Sequence, residues 1–302
     1  MKKIDGRHFR VERFADGTLR VTETYNINPL IVGSKKKEGC DINEDPDIDT
    51  GIPDLESLRS SVSRTKSKIY NIAHNMNVEW FGTFTFSDAY HIDRTNISEC
   101  KRYLGDWFQN RKKIYPNLQY LAIPEYHTLK PWQKKRGVHF HCLAGFWDMN
   151  DFIDSGRVQI GSKAYKRTKK NQNYRWIYNC VPWKAGFTNF TIADNGARCA
   201  NYMLKYITKT LFTEKSDFHK QRYLVSKNIP QTELLLNEFV PGKNSMFEDT
   251  FFSDVTGEVS YDIIDLVSNF GNYVITCIKP CDVITENFEY HANQYYFTKG
   301  EI

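Results

Sequence analysis

The chain has 302 residues, 40% of them hydrophobic and 15% aromatic, and 41 Lys and Arg against 36 Asp and Glu leave a formal net charge of +5. That is enough apolar material for one large domain or two smaller ones, and the mild basic excess permits an acidic partner without demanding one. No stretch approaches the roughly 18 consecutive apolar residues of a membrane span, and the opening MKKIDGRHFRVERF has no apolar run behind its lysines, so neither a membrane anchor nor a secretory leader is expected. Seven cysteines are irregularly spaced with no C-x-x-C pair. This argues against a disulfide framework and for a reducing, cytoplasmic setting.

In chain order, residues 1–33 alternate apolar and polar character in places, as in LRVTETYNI, and fit paired strands or an extended arm. Residues 34–54 run from the basic triplet Lys35–Lys37 into Glu38, Asp41, Glu44, Asp45, Asp47 and Asp49, a composition that predicts a flexible acidic linker. Leu55, Leu58, Val62, Ile69 and Ile72 are spaced for a helix over 55–77. EWFGTFTF at 79–86 reads as a strand and 96–113 as a helix with Ile97, Cys100, Leu104 and Phe108 on one face. LQYLAI (118–123) and GVHFHCLAGF (137–146) are two more strands, joined through a turn with a basic tip, HTLKPWQKKR.

Residues 161–175, GSKAYKRTKKNQNYR, form the most basic stretch. YRWIYNCVPW and FTNFTI follow as strands, and ARCANYMLKYITKTL (197–211) as a helix. Beyond residue 228 a short helical run at 231–239 and a strand at 273–278 are predicted. The pattern predicts an α+β fold, a central antiparallel sheet of about five strands with helices packed on one face. The predicted domain spans 55–227, between an N-terminal arm and linker (1–54) and a C-terminal extension of unknown role (228–302).

The run GVHFHCL carries the first chemical signal. Side chains alternate along a strand, so His139 and His141 project from one sheet face at a spacing that can grip one ion, while Phe140 and Cys142 face a core. Glu125, at the end of the preceding strand, is the candidate third ligand, with His127 as its competitor. A His–His–carboxylate set suits a divalent ion such as Mg²⁺ or Mn²⁺, and zinc as the other choice. On the helix, Tyr202 and Tyr206 stand at i and i+4, as do Lys205 and Lys209. Two phenols thus alternate with two ammoniums along one helix edge, where ammoniums favour phenolate and bind phosphate. Thr83 and Thr85 share one face of their strand and Phe84 and Phe86 the other, which reads as scaffold. Lys134, Lys135 and Arg136 flank the histidine strand. Lys163, Lys166, Arg167, Lys169, Lys170 and Arg175 are interleaved with Tyr165 and Tyr174, a combination that suits single-stranded nucleic acid.

The order FGTFTF, HFH, YMLKYITK resembles the HUH endonuclease superfamily, in particular rolling-circle replication initiators of plasmids and single-stranded DNA phages. Y-x-x-K-Y-x-x-K is similar to the two-tyrosine variant, and RYLVS (222–226) resembles a strand that follows the third motif in related proteins. Gly82 stands where a larger residue is common. The resemblance covers about residues 78–227. It implies a metal-dependent, site-specific single-strand endonuclease and ligase. A divalent ion on His139, His141 and Glu125 would polarise the scissile phosphate of an origin. A tyrosine would attack to give a 5′-phosphotyrosine and a free 3′-OH for the host polymerase, and the second tyrosine would resolve the next round. No G-x-x-x-x-G-K-[ST] phosphate loop occurs, so strand separation is expected from a host helicase or supercoiling. The competing readings are another HUH nuclease, a relaxase or single-strand transposase, and a non-enzymatic RNA-recognition-like binding module.

Overall fold

The computed structural model describes residues 6–25, 55–127, 136–161, 163–193, 198–204, 223–241, 266–270, 273–285 and 288–299. In chain order the strands and long helices are β1 (Gly6–Arg13), β2 (Leu19–Tyr25), α1 (Leu55–Asn75), β3 (Trp80–Thr85), α2 (Ile97–Ile114), β4 (Gln119–Tyr126), β5 (Val138–Gly145) and β6 (Phe152–Ile160). They continue with β7 (Lys163–Lys166), β8 (Arg175–Cys180), β9 (Thr188–Ile192), β10 (Leu224–Val225), β11 (Glu233–Pro241), β12 (Tyr273–Thr285) and β13 (Phe288–Lys299). Residues 198–204 are also helical. The chain divides into two compact units, Arg64–Pro230 and Met1–Ser63 with Gln231–Ile302. Among the described residues no helix is long and apolar enough to cross a membrane.

The unit Arg64–Pro230 is built on an eight-stranded sheet ordered β10-β4-β5-β3-β9-β8-β6-β7, with antiparallel pairs throughout. Alternation along β3 sorts its side chains. Trp80 and Phe84 are buried, while Phe81, Thr83 and Thr85 on the other face are partly open. The buried face continues into Phe140 and Cys142 of β5 and Phe190 of β9. Helix α2 starts at Asn96, whose side chain accepts from the Ser98 and Glu99 backbone N–H groups, the usual role of Asn at a helix start. It presents Cys100, Leu104 and Phe108 to that face. Phe108 stacks on Tyr120 of β4 with centroids 3.9 Å apart and meets Phe84 edge-on at 5.7 Å. The high aromatic content is therefore spent on one side of this sheet, where ring pairs add to plain burial.

Gly82 has a specific reason in this core. A Cβ built on it would lie 2.3 Å from Cδ1 of Phe190, so the ring of the neighbouring strand occupies the space that a side chain would need.

The second unit holds a five-stranded sheet ordered β11-β1-β2-β13-β12. One face is apolar, with Phe9, Val11, Leu19, Val21, Tyr295 and Phe297 in a single cluster. On the other face Arg20 donates to Glu12 from both Nε (3.0 Å) and Nη2 (2.5 Å), and both residues are buried. Glu23 accepts from the buried Tyr295 hydroxyl at 3.1 Å.

Three expectations need correction. The sheet of about five strands is one of eight and, in the other unit, one of five. The residues read as a short helix at 231–239 belong to strand β11, which pairs with β1 from Gly6↔Pro241 to Arg13↔Glu233. The helices do not gather on one face either. α2 covers the face of Phe84, whereas Tyr202 of the 198–204 helix meets Phe81, which points to the opposite side. The acidic linker 34–54 lies outside the described residues.

The Gly82–Phe190 contact makes a stability prediction. Gly82→Ala should lower the unfolding free energy of this unit by about 1–3 kcal/mol through overpacking, and Phe190→Leu in the same chain should recover part of that. Urea unfolding of the two variants measures it. A Gly82→Ala protein as stable as the parent would show that Phe190 yields freely.

Candidate metal centre and tyrosine cleft

Strand register assembles the candidate site. Glu125 of β4 lies directly across from His139 of β5. His139 in turn pairs with Thr85 of β3, and His141 with Thr83. Because these positions fall on the face opposite the aromatic core, Nε2 of His139, Nε2 of His141 and Oε2 of Glu125 converge. The edges of this triangle are 3.0 Å between the two nitrogens, 3.1 Å from His139 to Glu125 and 2.8 Å from His141 to Glu125. The side chains are only 10–13% exposed. Among the described residues this is the one group of His, Cys, Asp and Glu whose atoms converge closely enough to hold a metal ion.

The donor chemistry fits a cation. Two neutral imidazoles and a carboxylate turn lone pairs toward one point, and burial makes that costly unless something positive is shared there. The ring of His141 is oriented from behind, because its Nδ1 lies 3.3 Å from Thr83 Oγ1. With Nδ1–H donating to that hydroxyl, Nε2 is left as the free lone pair. Nδ1 of His139 is buried without a hydrogen-bond partner. His127, the competing ligand, is not one of the converging atoms; its ring leans on that of His139 with centroids 4.3 Å apart. Cys142, next to His141 in the chain, faces the core as expected. Complete burial, with Cys180 nearby, pushes its thiol well above the ordinary range, so no thiolate is offered to the site.

The triangle opens on a cleft of about 380 Å³. Glu125 and His141 line one side of it. Tyr202 enters from the 198–204 helix, its ring edge-on to Phe81 at 5.2 Å. Lys163, Asn189, Thr191 and Gln159 complete a polar wall. This brings together one candidate nucleophile, two of the three candidate ligands and one candidate DNA-binding cation. Tyr206, Lys205, Lys209, Lys134 and Lys135 lie outside the described residues.

The remaining basic residues fall on or beside a hairpin rather than a plain loop. β7 is the edge strand of the sheet, pairing Lys166 with Arg157 and Ala164 with Gln159. Lys163, Lys166, Lys169, Lys170 and Arg175 are exposed there, as is Arg136 just before β5. Arg167 differs. It is ion-paired with Asp154 and lies over the Trp176 ring, 4.0 Å from the centroid. The Arg167 hydrogen bond holds the Asp154 carboxyl below its ordinary range. Arg167 therefore fastens the hairpin that carries the other cations.

Sequence reading missed Thr83, Thr85, Asn189, Thr191 and Gln159 as site residues. The two threonines of the first motif are more than scaffold: Thr83 touches a candidate ligand and Thr85 anchors the loop before β9. Strict alternation in that motif was the available signal, since it puts both hydroxyls on the histidine face. The others carry no local signal; only the pairing of distant strands brings them to the cleft.

The support from Thr83 is measurable. Thr83→Val removes the acceptor that orients His141 and should lower Mn²⁺ affinity about 10- to 100-fold in a calorimetric titration of the full chain, with no matching loss of thermal stability. Unchanged affinity would mean that the hydroxyl does not set the imidazole.

Residues 79–211 match the family model for the replication-associated protein described as ORF2 or gene-2 protein. The matched stretch contains every residue of the triangle and of the cleft. No curated protein and no solved structure matches the chain. The family match supports a rolling-circle replication initiator, and with it DNA at an origin as the partner.

Proposed function

We propose that this protein starts rolling-circle replication as a metal-dependent, site-specific single-strand endonuclease and ligase of the HUH type, with residues 55–227 as the nicking domain. The observation that carries the reading is the cleft itself. A buried His–His–carboxylate triangle and a tyrosine on a helix line one cavity, inside the stretch that matches a replication-protein family.

Glu125, His139 and His141 would hold a divalent cation, which on binding supplies Lewis-acid polarisation of a phosphate oxygen. Two ligands at right angles on an octahedral ion with bonds of about 2.1 Å stand about 3.0 Å apart, against about 3.4 Å at tetrahedral angles. The edges of 2.8 to 3.1 Å favour a six-coordinate ion, Mg²⁺ or Mn²⁺, over structural zinc.

The chain's own residues do the rest. The Tyr202 phenol loses its proton, its oxygen forms a bond to phosphorus, and the bond from phosphorus to the 3′-oxygen breaks. The products are a 5′-phosphotyrosine and a 3′-OH that takes up a proton. Reversal of the same exchange rejoins strands. Lys163 at the cleft wall neutralises phosphate charge. Tyr206, one helical turn from Tyr202 in the sequence, is the second nucleophile, with Lys205 and Lys209 as its cationic neighbours. Lys134, Lys135, Arg136, Lys166, Lys169, Lys170 and Arg175 hold the backbone of the single strand. Duplex opening falls to a host helicase, and extension of the 3′-OH to a host polymerase.

The test is cleavage of a labelled, origin-bearing single strand from the replicon that encodes the protein, with Mn²⁺ or with EDTA. His139→Ala and His141→Ala should each reduce nicking by at least about 100-fold while the protein stays folded, and Glu125→Gln should weaken it less. A covalent adduct should map to Tyr202 or Tyr206 and disappear in the double Phe variant. Full nicking in EDTA, or an adduct on Tyr165 or Tyr174, would refute the mechanism.

A further inference from the structure

Phe187 is 78% exposed, more than any other large hydrophobic side chain among the described residues. Single apolar residues on a surface are ordinary, but three features set this one apart.

The first is its mount. Thr85 N–H donates to the Phe187 carbonyl at 2.9 Å, and the Thr85 hydroxyl donates to the same carbonyl at 2.8 Å. Phe187 N–H donates back to that hydroxyl at 3.0 Å. One residue earlier, a Cβ on Gly186 would stand 2.2 Å from the Thr85 carbonyl oxygen, so a glycine lets the loop lie directly on β3. Trp183 Nε1 donates to that same oxygen at 3.1 Å, and Ser87 N–H donates to the Ala185 carbonyl at 2.8 Å. The backbone is tied down while the ring stands in solvent.

The second feature is alignment. Glu125 is across from His139, His139 across from Thr85, and Thr85 is bonded to Phe187. The four residues form one row over adjacent strands. At about 4.8 Å per strand, the Phe187 backbone lies about 10 Å from that of His139. The third is the face. Thr188 and Phe190 are buried in the core, so alternation puts Phe187 on the same side as Asn189 and Thr191, which line the cleft.

We propose that Phe187 is the stacking platform for the nucleobase that flanks the phosphate held at the triangle, and so positions the single strand for cleavage. A ring fixed in place and already exposed loses little freedom when a base covers it, and every base has a face to offer. The inference rests on the reading of this cleft as a single-strand DNA site, and it adds the residue that holds a base rather than a phosphate.

Binding is measured with the full-length protein in EDTA, so that nothing is cut. Two fluorescent 20-mers serve as probes, oligothymidylate and an abasic strand with the same backbone. Phe187→Ala should weaken oligothymidylate about tenfold and leave the abasic strand unchanged, while Phe187→Trp should bind oligothymidylate at least as well as the parent. Thermal unfolding should not move, since the ring packs against little. Equal binding by Phe187→Ala and the parent on both probes, or an equal loss on both, would overturn the stacking role while leaving the cleft reading in place. A parent protein that binds neither strand would overturn the single-strand reading itself, and the stacking role with it.

Discussion

Two imidazole nitrogens and a carboxylate oxygen brought within 3.1 Å of one another, with little water around them, define the one place in the described structure where the fold concentrates lone pairs. Water would normally solvate each of these groups separately. Holding them together costs free energy that a shared cation recovers, because the same low exposure that strips water away strengthens the attraction to a positive charge. The rest of the Arg64–Pro230 unit can be read as what holds this triangle. β4, β5 and β3 must pair so that Glu125, His139 and Thr85 fall in one row and His141 and Thr83 in the next. A slip of one residue on any of the three would turn its contribution into the core.

Register is enforced from the opposite face. Phe84, Phe108, Phe140, Phe190 and Trp183 interlock there, and Gly82 leaves room for one ring alone. A slipped β3 would put Phe81 or Thr83 where that ring sits. Packing density thus fixes the polar geometry on the far side of a sheet that the aromatic side chains never cross. It also keeps chemistry apart: Cys142 and Cys180 lie in the core, their thiols raised by burial, Cys180 to about 12, which leaves a hard nitrogen and oxygen donor set on the other face.

How much of this was legible depended on how local the signal was. The histidine pair, Glu125 at a strand end and the amphipathic α2 follow from periods of two and 3.6 within a few residues, and the structure has them where the periodicity puts them. β6 was not legible, because a register shift between Asp154 and Arg157 and a left-handed Gly156 break its alternation. β7 hid inside a basic run that composition alone marks as loop, although a charged edge strand has the same composition and resists edge-to-edge pairing. Leu234, Leu235 and Leu236 gave β11 the look of a helix. Its partner β1 lies more than 200 residues away, with Arg13 and Glu233 joined by an ion pair at 2.7 Å, and no local pattern encodes that pairing. Thr83 and Thr85 were visible in the alternation, but small hydroxyls beside phenylalanines look like filler until the strand across from them is known.

The central claim is that the triangle holds a divalent ion in the same cleft as Tyr202. Anomalous scattering from Mn²⁺ in crystals of the protein tests it most directly. A single peak bounded by Nε2 of His139, Nε2 of His141 and an oxygen of Glu125, about 2.0–2.2 Å from each, is the expected result. A peak held by other residues, or none at saturating Mn²⁺ with the three side chains in the arrangement described, would contradict it.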